Sequence, residues 1–565
     1  MKKEVSFQKK LYISVIAVLI LLSIKTILTD FDYDAEYALV MGYRMAKGDK
    51  MFLQMWESHL TSAFLCAALV KIYLAITGTT TGIVLYVQTC CVLIRALLAL
   101  LLHKTLKRYI EPTWAFLLSC LFFAVTPKDL PIAEFANMQF WFQTALFCML
   151  IWYLETKKKP YLILASICLC LEIITYPSCI IIFFPVVALL FVYSKEKWKD
   201  IAIVSLSCFI QGVVYVGYFV VTIGLELFLT NCEIILTGDV YHTKGIGEKF
   251  LVYGSDLLKV VAALAVLLLV CAAVGKIYCM LVHKNTKKDV VQSSLYLYFA
   301  VMLVGLFVYT LLVKGRTEQL VIYIPMFILG GFGRHLLSDA EKRVYDCGMA
   351  INVCSFFAVL ALTDLTVLDT INYLLLAVIV TLIPIKAVID AYVGCQKAYK
   401  KYSLIFAFLL LSLFRSAFLI RPMYYHLRSV LNIEGIVKSG PAVGIMSEYI
   451  GPYTVNTAME EWDQYIEEGD RLLLVGSDFG THTIGYLYKD VVIANSSTLS
   501  TPTFDENLLT YWEQNPDKYP NVVAVECWYG DLSISEDSFI YQWIINDFQP
   551  TDYADGKYWR YYWKK

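Results

Sequence analysis

The chain has 565 residues, of which 59% are hydrophobic and 17% are charged, and its mean hydropathy is +0.62. A soluble protein of this length exposes far more charge, so the composition excludes an ordinary water-soluble enzyme and predicts an integral membrane protein. The net charge of −1 combines two opposite parts: residues 431–565 carry 21 acidic and 8 basic side chains, and the rest of the chain has a surplus of about 12 positive charges.

Apolar runs predict about thirteen membrane-spanning helices in a transmembrane domain of residues 1–425. The first run follows the basic stretch Met1–Lys10 and has no small-residue cleavage site after it, so we expect an uncleaved first helix. Loops rich in Lys and Arg alternate with loops poor in them, and the positive-inside rule places the basic loops in the cytoplasm. The odd number of spans then places the C-terminal domain outside the cytoplasm. The runs are 11–28, 82–102, 113–126, 138–154, 161–176, 178–193, 201–223, 256–282, 291–313, 320–337, 344–362, 371–392 and 402–420.

A further segment, Leu60–Gly78, is apolar enough to span, and its placement decides the whole topology. If it spanned, every later basic loop would move outside, against the positive-inside rule. It also carries Lys71. We therefore expect an interfacial or half-inserted helix on the outer face, within a long first outer loop, 29–81, that contains juxtamembrane helices.

Residues 430–565 have the pattern of a water-soluble, extracytoplasmic α/β domain. Helix-like stretches at Thr454–Glu468 and Phe504–Asn515 alternate with short apolar runs, which predicts a small parallel sheet with crossover helices. The glycines of 475–480 lack the GxGxxG spacing and predict a βα turn and not a nucleotide site. The many aromatic residues are compatible with a core, a membrane-interface anchor or a sugar-stacking face. Strands are predicted at Ala442–Met446, Arg471–Val475, Val491–Ala494 and Val522–Val525.

The first outer loop opens with four carboxylates in seven residues. Like charges at this spacing raise one another's affinity for a proton, a cation or a polar substrate. The functional interpretation is a general base or a metal ligand, and the alternative is a solvated acidic loop. The same loop also carries Arg44 and His59, which add basic and aromatic character beside the bilayer. The four carboxylates are Asp30, Asp32, Asp34 and Glu36.

This loop resembles the first outer loop of the GT-C superfamily of membrane glycosyltransferases. The similarity lies in the acidic cluster just past the first helix, the Tyr three residues after Asp34, and a helical stretch that ends at Gly48-Asp49. The aminoarabinose transferase and protein O-mannosyltransferase families are nearest in layout, because their first loop continues into juxtamembrane helices. The resemblance covers the whole chain in layout, including a GT-C-like transmembrane domain and an outer C-terminal domain, but its motifs are confined to short stretches.

The resemblance implies a transferase that moves a sugar from a polyprenyl phosphate donor to an acceptor on the outer face. The acceptor would be a glycan, a lipid or a protein, most naturally part of the cell envelope. Because the donor is activated earlier, no nucleotide site is required, and no nucleic-acid partner is expected.

The family's catalytic acid corresponds best to Asp34. Asp32 and Glu36 are near alternatives, because this sequence has Asp-Ala-Glu where many members have adjacent acids. In the second outer loop the family often has an Asp before the next helix. Here Asn137 holds that place and Glu134 lies one turn earlier, so a divalent metal stays an open question.

Lys314 and Arg316, followed by Tyr323 in a Tyr-x-Pro sequence, resemble the residues that hold the donor phosphate in the family. An Arg side chain makes a two-pronged contact with phosphate, which agrees with this assignment. The alternative for Arg316 is a flanking residue that reaches to the membrane surface. The predicted substrate-binding set is completed by Arg44, His59, Glu134 and Asn137.

The mechanism implied is inverting transfer: a carboxylate takes the proton of the acceptor hydroxyl while Arg316 and Lys314 stabilise the leaving phosphate. A transporter or flippase for a lipid-linked sugar is the main alternative, and Glu172 is its best intramembrane candidate. A glycan polymerase or ligase shares the carrier chemistry and stays open. A receptor-like binding module is disfavoured, because so many spans exceed what an anchor requires.

Overall fold

The structure is a computed structural model in which a helical part precedes a C-terminal part that contains a sheet. The predicted boundary between the domains, at 425–430, lies outside the described residues. These are 2–29, 31, 33–127, 132–237, 245–282, 286–287, 289–291, 293–294, 297, 317–364, 367–392, 433, 435–447, 455–476, 484–497, 506–528 and 531–564.

The helical part consists of α-helices joined by short turns and a few 3₁₀ segments. The helices are α1 (Lys2–Leu28), α2 (Tyr33–Lys47), α3 (Phe64–Thr77), α4 (Ile83–Leu106), α5 (Pro112–Ala124), α6 (Phe135–Thr156), α7 (Lys159–Thr175), α8 (Phe183–Tyr193), α9 (Lys197–Ile223), α10 (Leu225–Thr237), α11 (Ile246–Leu281), α12 (Thr317–Gly333), α13 (Asp339–Leu362), α14 (Val367–Thr370) and α15 (Leu375–Tyr392). The 3₁₀ segments are Leu60–Ala63, Pro177–Ile182, Arg334–Leu336 and Ile371–Leu374.

Several of these helices are apolar enough to lie in a membrane. Among the described residues, four segments are long and apolar enough to cross it: Leu60–Thr77, Ile83–Leu106, Lys197–Ile223 and Asp339–Ala361. Five shorter apolar helices accompany them. The composition-based prediction of a multi-pass helical membrane protein is thereby confirmed, while the total of thirteen spans stays a prediction.

α7 is joined to α8 by a 3₁₀ segment that begins at Pro177. At the opposite end of α7 the Lys159 ammonium lies 2.9 Å from a Glu196 carboxylate oxygen and also pairs with the buried Asp200 of α9. Two of the basic loops that the charge rule assigns to the cytoplasm, 157–159 and 195–199, therefore meet at this end of α7.

α2 packs closely on α3 at Gly42. A Cβ atom at this position would lie 2.6 Å from the Cβ of Cys66 and 2.9 Å from the backbone nitrogen of Ala67. Only a residue without a side chain allows the two helices to approach this closely. The predicted first outer loop thus contains two closely packed helices, and their juxtamembrane placement stays a prediction.

The C-terminal part contains a mixed sheet in the order β4-β3-β5-β8-β7, with β6 paired to β5, and a separate two-stranded ribbon of β1 and β2. The strands are β1 (Gly435–Ile436), β2 (Met446–Ser447), β3 (Arg471–Val475), β4 (Val492–Ile493), β5 (Val522–Trp528), β6 (Asp531–Leu532), β7 (Asp552–Asp555) and β8 (Trp559–Trp563). The helices are α16 (Val455–Tyr465), α17 (Ile484–Tyr488), α18 (Leu508–Gln514) and α19 (Phe539–Trp543), with a 3₁₀ segment at Pro516–Lys518 and a π-helical turn at Ile544–Phe548.

The prediction of a parallel sheet was partly wrong. β3 pairs in parallel with β4 and β5, but β8 pairs antiparallel to β5 and β7 antiparallel to β8. The predicted strand Ala442–Met446 was wrong except at Met446, which begins β2, because the chain turns at 441–444 and Gly444 adopts φ +88°. Trp559 and Tyr561 of β8 are buried, so the core interpretation holds for these two aromatic residues.

The outer loop and the C-terminal part contact each other at the ends of α1 and α4. Thr29, just past α1, forms an isolated bridge with Met446. Just before α4, the Gly82 amide donates to the Gly440 carbonyl at 3.1 Å, and the Thr80 hydroxyl donates to the Leu487 carbonyl at 2.7 Å. The first outer loop therefore starts and ends beside the same domain.

Candidate active site in the first outer loop

The described acids of the first-loop cluster lie in the first turn of α2. Carboxylates at this position are favoured by the partial positive charge of the helix N-terminus. Asp34 and Glu36 are two residues apart, which places them about 200° apart around the helix. Glu36 is 1% exposed and faces the core, whereas Asp34 is partly exposed. Asp34 is thus the more accessible of these two, and Asp32 lies outside the described residues.

The residue one turn after Asp34 ties α2 to the end of the same loop. The Tyr37 hydroxyl donates to the Ser58 carbonyl. The next residue, His59, has φ 60°, and its ring stacks on Phe135 with the ring centroids 3.9 Å apart. Its centroid also lies 5.1 Å from that of Tyr176, which lies between α7 and the following 3₁₀ segment. The first loop, the start of α6 and the end of α7 therefore meet at one place.

The predicted residues of the second outer loop lie beside this meeting point. The Glu134 carboxylate caps α6 by accepting from the backbone amides of Ala136 at 2.9 Å and Asn137 at 2.6 Å. The Asn137 side chain donates to the Ile132 carbonyl at 2.9 Å. Both side chains are buried and shape the loop that carries Phe135. These contacts show a structural role, and their predicted contact with substrate stays a prediction.

The predicted phosphate-binding residues are only partly described. Tyr323 is buried in α12, with its ring 6.4 Å from that of Phe327. Lys314 and Arg316 lie outside the described residues, so their role stays a prediction. Within the described part of the chain, no group of three or more His, Cys, Asp or Glu side chains is placed to hold a metal ion.

Arg44 lies at the other end of α2, enclosed by protein acceptors. Its Nε is 3.0 Å from Asp49 and its Nη1 is 2.6 Å from Glu57. Its Nη2 donates to the Gln54 carbonyl and, at 3.3 Å, to the Tyr511 hydroxyl. The Arg44 side chain is fully buried, so these contacts favour a structural role over the predicted contact with substrate.

Around Arg44, the first loop is bonded to the C-terminal domain along its length. The Trp56 amide donates to the Ser496 carbonyl at 2.9 Å, and the Asn515 side chain donates to the Leu53 carbonyl at 2.9 Å. The Lys518 ammonium lies 2.6 Å from Asp49. Sequence patterns did not single out these domain residues, because each lies more than 400 positions from its partner.

Two carboxylates of this contact region have shifted pKa values. Burial raises the pKa of Glu57, although Arg44 acts in the opposite direction. Burial also acts to raise the pKa of Asp490, but hydrogen bonds from Lys47 and Tyr43 outweigh it and hold that pKa below its usual value. Glu57 is inside the contact region, whereas the Lys47–Asp490 pair lies at its exposed edge with side-chain exposures of 46% and 42%.

A second polar cluster lies inside the helical part, around Glu172, one helical turn before Tyr176. One oxygen of the buried Glu172 accepts from the Gln143 amide at 3.1 Å and from the Ser355 hydroxyl at 3.2 Å. Its other oxygen has no hydrogen-bond partner among the described residues. Gln139 donates to Ser355 at 2.6 Å, and Asn352 donates to Gln143. The cluster joins α6, α7 and α13 through neutral partners.

Comparison with known proteins gives matches among solved structures. No family model and no curated protein matches the chain. The chain is similar to the archaeal oligosaccharyltransferase AglB from Archaeoglobus fulgidus, in the structure of that protein in complex with an inhibitory peptide and a dolichol-phosphate. The identity is 11%, the match covers 92% of this chain and 70% of that chain, and the TM-score is 0.41. The apo oligosaccharyltransferase from the same organism matches with equal identity and coverage at a TM-score of 0.44.

Proposed function

We propose that this protein is an integral membrane glycosyltransferase that moves a sugar from a polyprenyl phosphate to a glycan, lipid or protein acceptor on the outer face. The observation that carries the proposal is the position of Asp34. It is a partly exposed carboxylate one helical turn from Tyr37, whose bond to Ser58 brings α2 beside His59 and Phe135. The place where the two outer loops meet thus has both an accessible carboxylate and aromatic rings.

The topology of the proposal rests on the contacts of the first outer loop. Leu60–Thr77 has 18 residues and a helical length of about 27 Å, enough to cross the hydrocarbon core. Yet the loop residues on both sides of it, Trp56 and Thr80, are bonded to the same C-terminal domain. We therefore place this segment along the outer surface, so that the basic loops stay in the cytoplasm and the C-terminal domain lies outside.

In the proposed reaction, the Asp34 carboxylate takes the proton of an acceptor hydroxyl as that oxygen attacks the anomeric carbon. The bond between that carbon and the phosphate oxygen breaks, and the leaving polyprenyl phosphate is stabilised by Lys314 and Arg316. Asp34 is preferred to Glu36 as the base because Glu36 is buried. A base must reach within hydrogen-bond distance of the proton it accepts.

Purified protein supplied with a polyprenyl phosphate sugar tests this proposal through the loss of the lipid-linked donor. Asp34→Asn should leave folding intact and lower turnover by about 10²–10⁴ while donor binding persists. Arg316→Ala should weaken donor binding instead, because it removes a partner of the phosphate. Glu36→Gln is the matched control for charge in the same turn. Full turnover in Asp34→Asn would show that Asp34 is not the base. The absence of donor consumption by the wild type would refute the enzyme assignment.

A transporter of lipid-linked sugar is the second candidate, because Glu172 is a buried acid between helices. Such residues often mark transport pathways in membrane proteins. Counter to this, its described hydrogen-bond partners, Gln143 and Ser355, come from neighbouring helices and form a closed, packed cluster. Movement of donor across proteoliposomes without sugar transfer would favour the transporter.

A further inference from the structure

The helix that carries the proposed base is held at its far end by the C-terminal domain. α2 has 15 residues and a length of about 22 Å, with Asp34 in its first turn and Arg44 and Lys47 in its last turn. Arg44 bonds the Ser496 carbonyl at 3.5 Å and the Tyr511 hydroxyl at 3.3 Å. A rigid helix fixed at one end transmits the position of that end to the other.

The guanidinium of Arg44 uses all three of its nitrogens, and its partners come from two parts of the protein. Asp49, Gln54 and Glu57 belong to the first loop, whereas Ser496 and Tyr511 belong to the C-terminal domain. The planar shape of the group gives this junction a defined direction, which a Lys ammonium would not provide.

The return segment of the loop is fixed by the same domain. Leu53 and Gln54 accept through their carbonyls from Asn515 and from the Tyr511 hydroxyl, each at 2.9 Å, and the Trp56 amide donates to Ser496. Two residues after Trp56, the Ser58 carbonyl accepts from Tyr37, one turn from Asp34. The C-terminal domain therefore reaches the acidic end of α2 by two routes, through the helix and through residues 50–58.

We propose that the C-terminal domain positions the base of the transferase site, and that Arg44 is the positioning residue through which it acts. This inference rests on the proposed function, because it assigns a role in that reaction. Arg44 touches no reacting atom in this assignment. It sets the placement of Asp34 relative to His59 and the second outer loop.

The experiment compares kinetics and amide exchange in the full-length protein. Arg44→Met should lower kcat by about 10²-fold, the cost of a shift of about 1 Å in a reacting group, and leave the KM for the polyprenyl phosphate sugar unchanged. Arg44→Lys keeps the charge near Glu57 and should recover part of kcat. Backbone amide hydrogen exchange across residues 50–59 should rise in Arg44→Met, because Gln54 and Glu57, on either side of Trp56, lose the guanidinium that holds them.

Two further variants keep the test decisive. Tyr511→Phe removes one hydroxyl from the domain side of the junction and should lower kcat in the same direction, even if Arg44→Met fails to fold. Lys47→Met is the matched control, because it removes an exposed ion pair between the same helix and the same domain, and it should leave kcat and exchange unchanged.

The outcomes separate this inference from the function on which it rests. A raised donor KM with unchanged kcat in Arg44→Met would make Arg44 a donor-binding residue and overturn the positioning role. Unchanged exchange across 50–59 in Arg44→Met and Tyr511→Phe would also overturn it. If the wild-type protein consumes no donor but exchange across 50–59 still rises in the variants, the proposed function is refuted and the coupling between the C-terminal domain and the first loop is supported.

Discussion

Substitution of Glu172 tests whether the buried polar cluster that it forms with Gln143 and Ser355 holds a neutral acid or an ion. An ionised carboxylate inside a helical bundle requires a cationic partner, because desolvation of a lone charge costs several kcal/mol. The described hydrogen-bond partners of Glu172 are the Gln143 amide and the Ser355 hydroxyl, and both are neutral groups. We therefore predict that the cluster needs the hydrogen bonds of the Glu172 carboxyl group and not a negative charge on it.

The expected magnitudes follow from the two hydrogen bonds to Glu172. Glu172→Gln retains an oxygen that accepts from Gln143 and Ser355, so the free energy of unfolding should change by less than about 1 kcal/mol. Glu172→Leu leaves both donors without this acceptor, at about 1–3 kcal/mol for each buried donor. The Ser355 hydroxyl can rotate, so the total loss should be about 2–4 kcal/mol.

Thermal unfolding of the purified variants in one detergent measures the difference. Gln211→Leu is a suitable control, because the Gln211 amide bonds only to Ser207 of its own helix among the described residues. Glu172→Gln should unfold near the wild-type temperature and Glu172→Leu well below it. Equal destabilisation by Gln and Leu would mean that the cluster needs a negative charge, and the neutral-acid argument would fail. A stabilising effect of Na⁺ that disappears in Glu172→Gln would also contradict it.

A cysteine introduced at Thr80 should react with a membrane-impermeant thiol reagent in intact cells while one at Lys158 should not; labelling of Thr80 only after lysis would show that the preceding helix spans. Gly42→Ala should destabilise the protein by about 1–3 kcal/mol in thermal unfolding, because its Cβ would lie 2.6 Å from a neighbouring Cβ, whereas Gly212→Ala has open space and should not. Tyr37→Phe removes the hydrogen bond to the Ser58 carbonyl, so it should lower the free energy of unfolding by about 0.5–1.5 kcal/mol and should also lower donor turnover. Unchanged turnover would show that this hydrogen bond has no part in the proposed site.

Local patterns predicted the features that depend on local physics. The membrane class followed from hydropathy, and the helical stretch after the acidic cluster is α2, Tyr33–Lys47. The strand at Arg471–Val475 was predicted with its observed bounds, because its continuous apolar run of four residues, 472–475, suits a strand buried on both faces. The two helix-like stretches of the domain contain α16 and α18, with ends that differ by a few residues.

The features that were not predicted depend on contacts distant in sequence. The antiparallel strand β8 was not singled out, since its run of aromatic residues fits a core, an interface or a ligand face equally well. The difference between Asp34 and Glu36 depends on where α2 begins and which of its faces is buried. The enclosure of Arg44 requires Tyr511, a residue 467 positions away. A pattern within one segment contains no information about such partners.

The first outer loop shows why hydropathy and charge must be weighed together. Hydropathy and length alone qualify Leu60–Thr77 as a span. The charge rule rejects that choice, because one added span would reverse every later basic loop. The contacts favour the same placement: Thr29 at the end of α1 and Gly82 at the start of α4 both bond residues 440–446. A segment whose flanks meet on one small surface has no need to cross the membrane, so its placement along the outer surface stays a prediction that the labelling at Thr80 tests.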